Sequence, residues 1–63
     1  MAASARARGN ELYARNDYQQ AVNLYTEAIN LYPKDDKDLA LAYSNRAACY
    51  LKMVKERVKY FND

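Results

Sequence analysis

GNELYARNDYQQAVNLYTEAINLYP, residues 9–33, decides how this chain folds. It opens on the only glycine of the 63-residue sequence and closes on the only proline. Between them, Arg15-Asn16-Asp17 is the one interruption in a run of good helix formers. Asn16 tolerates the left-handed backbone that ends a helix, and Asp17 can cap the helix that follows. Pro33 forces a stop upstream of itself, because it pushes the preceding residue out of the helical region. The spacing therefore predicts one helix up to about Arg15 and a second from about Tyr18 to Leu31, joined by a linker short enough to make them antiparallel neighbours.

Outward from this stretch the pattern stays helical. Upstream, the first helix begins near Ala3 and lines up Ala5, Gly9, Leu12 and Tyr13 on one face. Glycine in mid-helix costs about 1 kcal/mol relative to alanine, so Gly9 predicts a close approach by another helix. The second helix presents Ala21, Leu24, Tyr25, Ala28 and Ile29 at i, i+3, i+4, i+7, i+8. Downstream of Pro33 lies the acidic linker Lys34-Asp35-Asp36-Lys37-Asp38, in which Asp36 or Asp38 caps a third helix. Tyr43, Ala47, Tyr50 and Leu51 are expected on its inner face. No Gly, Pro, Asn or Asp occurs from Met53 to Phe61, so this helix should run on over about 37–61. Ala47, Leu51, Val54, Val58 and Phe61, spaced 4, 3, 4, 3, extend an apolar stripe along it. The expected fold is all-α: an antiparallel hairpin plus a long third helix.

Composition narrows the function. Ten Lys and Arg against eight Asp and Glu give a net charge of +2, too small and too mixed to point to nucleic acid. No apolar run reaches the about 20 residues of a membrane helix, so no membrane partner is expected. Histidine is absent, so no zinc-ligand cluster replaces the disulfide that the single cysteine, Cys49, cannot form. Without histidine, a glycine-rich phosphate loop or a base beside Cys49, no catalytic arrangement can be assembled, and neither an enzyme nor a cofactor is expected. Asp35, Asp36 and Asp38 lack the glycine and distal glutamate of a calcium loop. Of the seven tyrosines, Tyr18, Tyr25 and Tyr32 are seven apart and so are Tyr43 and Tyr50, a spacing that suits helix packing better than base stacking. A lone thiol fits a reducing compartment, and a cytoplasmic location is expected.

The segment Gly9-Asn10-x-Leu12-Tyr13, Asp17-Tyr18-x-x-Ala21-Val22-x-x-Tyr25-Thr26-x-Ala28-Ile29-x-Leu31-x-Pro33 resembles a full tetratricopeptide repeat, with small residues at helix crossings, aromatic knobs and a closing proline. Residues 42–52, AYSNRAACYLK, are similar to the first helix of a second repeat. The resemblance implies a single module over 1–63, with a full repeat in 1–35. Residues 36–63 supply the first helix of a second repeat and a helical extension that departs from the consensus at Val54 and Lys59. About three repeats are usually needed for stability, so a fragment or an altered end is expected, with one face left uncovered.

Within the family, the sequence is similar to the dicarboxylate-clamp type, which binds the acidic C-terminal tails of heat-shock chaperones. That resemblance implies a peptide-carboxylate site at Arg6, Asn10 and Asn45. Arg6 and Asn10, at i and i+4, share a helix face and offer donors to a carboxylate. Two basic residues that the clamp draws from a third repeat have no counterpart, so the expectation is weak binding by this chain alone or none. The implied function is a protein-interaction scaffold of the co-chaperone kind with a protein or peptide ligand. The alternative is a structural fragment that self-associates, as a dimer or swapped oligomer, through Leu51, Val54, Val58 and Phe61.

Overall fold

The computed structural model describes the backbone of residues 1–61 and the side chains of residues 1–59. Three helices follow one another: α1 (Ala2–Ala14), α2 (Tyr18–Leu31) and α3 (Lys37–Phe61). α1 and α2 form the hairpin, and α3 packs mainly on α2. No helix of the described residues is long and apolar enough to cross a membrane.

Local chemistry sets each boundary. Asn16 takes the left-handed conformation (φ 65°). The Asn16 and Asp17 amides then donate back to the Tyr13 and Leu12 carbonyls, both at 2.9 Å, which closes α1 in a Schellman motif. Asp17 stands at the N-cap position of α2, but its side chain makes no cap hydrogen bond, contrary to expectation. Instead the Tyr18 hydroxyl donates to Asn16 Oδ1 at 2.7 Å, and the Tyr13 and Tyr18 rings meet edge to face across the turn. At the far end Tyr32 is extended (ψ 138°) ahead of Pro33. Of the two expected caps for α3, Asp36 is the one used: its Oδ1 accepts from the Asp38 amide at 2.8 Å.

Gly9 explains how closely the hairpin is drawn together. A Cβ built there would lie 2.7 Å from Cε1 and 2.8 Å from Cδ1 of Tyr25, so the ring rests on the bare glycine backbone. The core forms two clusters along the hairpin. Ala5, Ala28, Tyr32 and Ala42 make one, flanked by Leu24, Ile29 and Leu39. Ala21, Val22, Tyr25 and Cys49 make the other, flanked by Leu12, Tyr13, Tyr18 and Met53.

The inner face of α3 differs from the sequence expectation. Tyr43, Ala47, Tyr50 and Leu51 are exposed, and Ala42 and Cys49 are the residues buried against α2. The reason is steric: α2 meets α3 with the large side chains Tyr25 and Tyr32, and close packing against them requires small residues in return. Leu51, Val54 and Val58 consequently point away from α2, at 63%, 58% and 47% exposure. The side chain of Phe61, the fourth member of that expected set, lies outside the described residues. α3 is about 37 Å long against about 20 Å for each hairpin helix, and beyond Met53 every described side chain is exposed. The last turns of α3 overhang the hairpin.

Candidate functional site

Four hydrogen bonds join polar side chains across the helices, three of them at Arg6, Asn10 and Asn45. Arg6 and Asn10 lie one turn apart on α1, while Tyr25 lies on α2 and Tyr32, seven residues on, directly follows its last residue. The antiparallel register pairs them in reverse order. Arg6 Nε donates to the Tyr32 hydroxyl at 3.1 Å, and the Tyr25 hydroxyl donates to Asn10 Oδ1 at 2.6 Å. From α3, Asn45 Nδ2 reaches the same Asn10 Oδ1 at 3.4 Å. Because Oδ1 accepts both bonds, the Asn10 Nδ2 amide is the group left to donate outward.

Asn10, Tyr13, Tyr25, Asn45 and Ala48 line a shallow groove of about 200 Å³. A groove of that size admits a carboxylate or a short side chain, not a whole drug-sized ligand. Its walls are amide and aromatic, and the Arg6 guanidinium stands one turn before Asn10 on α1. The hydrogen bond to Tyr32 is the main cause that raises the Arg6 pKa above its ordinary value, which keeps the side chain cationic. Burial, with Cys49 and Tyr13 adding to it, pushes the Tyr25 phenol up, so Tyr25 remains a neutral hydroxyl donor.

All three residues expected at the site are thus on the inner side of the hairpin and α3. Asn10 and Asn45 touch, and Arg6 is held apart by Tyr32. The sequence reading missed the tyrosine hydroxyls. Tyr25 and Tyr32 were expected only as packing residues, yet each also fixes a polar partner on α1. The signal was the matching order of Arg6 and Asn10 against Tyr32 and Tyr25 in an antiparallel pair. A third missed residue is Arg46, whose Nη1 donates to Thr26 Oγ1 at 3.1 Å while its guanidinium stacks 5.3 Å from the Tyr43 ring centroid. Arg46 thereby ties α3 to α2 beside Asn45. Among the described residues no group of three metal-ligating side chains occurs.

Comparison with known proteins places the chain in a family. The family model described as tetratricopeptide repeat matches residues 2–35. Hsp70-Hsp90 organizing protein 1 of Glycine max is 53% identical over 53 residues, which make up 84% of this chain and 9% of that protein. The chain therefore spans less than a tenth of that relative's length. No solved structure matches. With α1 and α2 together inside the matched segment, and the match covering more than half of the sequence, the chain belongs to the tetratricopeptide repeat family.

Proposed function

We propose that this chain is a protein-interaction module whose groove takes the C-terminal carboxylate of an acidic peptide, of the kind found on chaperone tails. The observation that carries this reading is the meeting of Asn10 and Asn45 at 3.4 Å, from α1 and α3, with the Arg6 cation one turn away. Two amides offering N–H donors beside a fixed guanidinium suit a planar anion. Similarity to a protein named for organizing Hsp70 and Hsp90 supports the choice of ligand class. A cytoplasmic setting, in which Cys49 stays a thiol, goes with it.

Titration with a fluorescent peptide carrying acidic residues and a free C-terminus tests the proposal by anisotropy. Saturable binding is expected between high micromolar and millimolar peptide. Amidating the C-terminus should abolish it, and Asn45→Ala should weaken it by about tenfold, the worth of one hydrogen bond to a charged group. No saturation at millimolar peptide would refute the proposal.

A second reading rests on the exposure of Leu51, Val54 and Val58. In it, α3 pairs with α3 of another copy and completes the fold by self-association, with the core of one repeat and a half left to a dimer to bury. Sedimentation equilibrium separates the two states. A monomer at high micromolar concentration, or an unchanged mass for Val58→Glu, would count against self-association.

A further inference from the structure

The groove at Asn10 and Asn45 does not end at Ala48. A second groove of about 190 Å³, lined by Tyr13, Ala48, Leu51, Lys52 and Lys55, shares Tyr13 and Ala48 with it. The two adjoin at Tyr13 and Ala48, the second lying further along α3 from the amide pair. Helical geometry accounts for this: Asn45, Ala48, Lys52, Lys55 and Lys59 are spaced 3, 4, 3, 4 and so run along one face of α3. All three lysines are exposed. Within Lys37–Lys59 the only acids of α3 are Asp38 and Glu56. Glu56 lies to the side of the row, in a separate groove with Tyr18, Met53 and Arg57. Glu56, four residues from Lys52 and three from Lys59, borders the row on one side, so three cations stand against a single flanking acid.

The geometry points to Lys52, Lys55 and Lys59 as a track that reads acidic side chains upstream of the peptide terminus. This assignment rests on the carboxylate site proposed above and extends it. From Asn45, the rise of about 1.5 Å per residue places Lys52 about 10 Å, Lys55 about 15 Å and Lys59 about 21 Å along the helix. An extended peptide advances about 3.3 Å per residue. With its terminal carboxylate at Asn10 and Asn45, its third, fifth and sixth residues upstream come level with the three lysines. The ligand is therefore a peptide with carboxylates about three to six residues before its end. Exposed ammonium groups on long stems suit this task, because they contribute modest, salt-sensitive attraction without demanding one geometry.

Four peptides and two variants of the full chain test the track. Peptides with glutamates three, five and six residues upstream, or with glutamines there, are each prepared with a free and an amidated C-terminus. The glutamate peptide with a free terminus should bind about tenfold more tightly than its glutamine counterpart, the sum of a few screened pairs. That ratio should shrink as salt is raised. In Lys52→Glu/Lys55→Glu the ratio should fall to one or invert, and in Lys52→Arg/Lys55→Arg it should persist. Both lysines are exposed, so circular dichroism should show the helices of either variant intact. If the charge-reversed chain keeps the glutamate preference, the track is overturned while the carboxylate site stands. If free and amidated termini bind alike while the glutamate preference holds, the carboxylate site fails, and with it the register assigned to the lysines. A glutamate preference that survives raised salt would also overturn the track.

Discussion

Replacing a mid-helix glycine with alanine ordinarily stabilises a helix by about 1 kcal/mol. At Gly9 the opposite is expected. The new methyl would sit 2.7 Å from Tyr25 Cε1 and 2.8 Å from Cδ1, well inside contact distance. The ring cannot simply swing aside, because Tyr25 is fully buried and its hydroxyl is held by Asn10 at 2.6 Å. Overpacking of this kind costs about 1–3 kcal/mol, and a weakened hydrogen bond adds about 1 kcal/mol. Against the gain in propensity, Gly9→Ala should be net destabilising by about 1–3 kcal/mol. In a domain this small that lowers the melting temperature by about 4–8 °C for each kcal/mol. Thermal unfolding followed by circular dichroism at 222 nm provides the readout, and a double-mutant cycle isolates the cause. In a Tyr25→Leu background the ring is gone, and the same Gly9→Ala change should become neutral or stabilising. A melting temperature that rises on Gly9→Ala in the wild-type chain would refute the reasoning, as would a penalty of equal size in both backgrounds.

Other consequences follow from the same contacts. Tyr25→Phe removes the donor to Asn10 Oδ1 and should cost about 1 kcal/mol in stability, while loosening the Asn10 amide and weakening peptide binding; unchanged affinity would mean that the hydroxyl does not position Asn10. Asp36→Ala loses the cap on α3 and should cost about 1 kcal/mol in urea unfolding, with Asp36→Asn retaining most of it. Asn16→Gly should be neutral or slightly stabilising and Asn16→Ala destabilising by about 1 kcal/mol, since φ is 65° there. Burial raises the Cys49 thiol pKa, and burial followed by neighbouring Cys49 and Tyr13 raises that of Tyr25. Both groups favour the folded state when neutral, so the stability they contribute is complete at low pH and is lost as pH rises past the unfolded values, about 8.5 for a thiol and about 10 for a phenol. The melting temperature should fall over that alkaline range, and less steeply in Cys49→Ala; a level profile would contradict the burial of these groups.

The boundaries of the helices were legible because local chemistry sets them. Asn16 must accept a left-handed backbone, Pro33 must extend Tyr32, and Asp36 can bond the amide two residues on. None of these depends on what the helix later packs against. The buried face of α3 does. Tyr43 and Tyr50 are seven apart, as are Ala42 and Cys49, so periodicity alone offers two faces about 100° apart and favours the larger residues. The choice is made by Tyr25 and Tyr32, which already fill the interface and leave room opposite them for the small residues Ala42 and Cys49, with Leu39 and Met53 packed at the margins. Size complementarity between two helices cannot be read from one of them.

The site shows the same dependence in a more useful form. Arg6, Asn10 and Asn45 could be named from their resemblance to a known pattern, but nothing in that pattern explains why Asn10 should be fixed in place. The hairpin supplies the reason through adjacent residues. Gly9, by lacking a side chain, lets the Tyr25 ring settle on α1, and the ring's hydroxyl then falls on the very next residue, Asn10. With Oδ1 engaged by Tyr25 and by Asn45, the orientation of the Asn10 amide follows from the packing of the core. Crossing distance and the geometry of the proposed carboxylate site are therefore one variable in this chain: any change that widens the hairpin at Gly9 also releases the Asn10 amide.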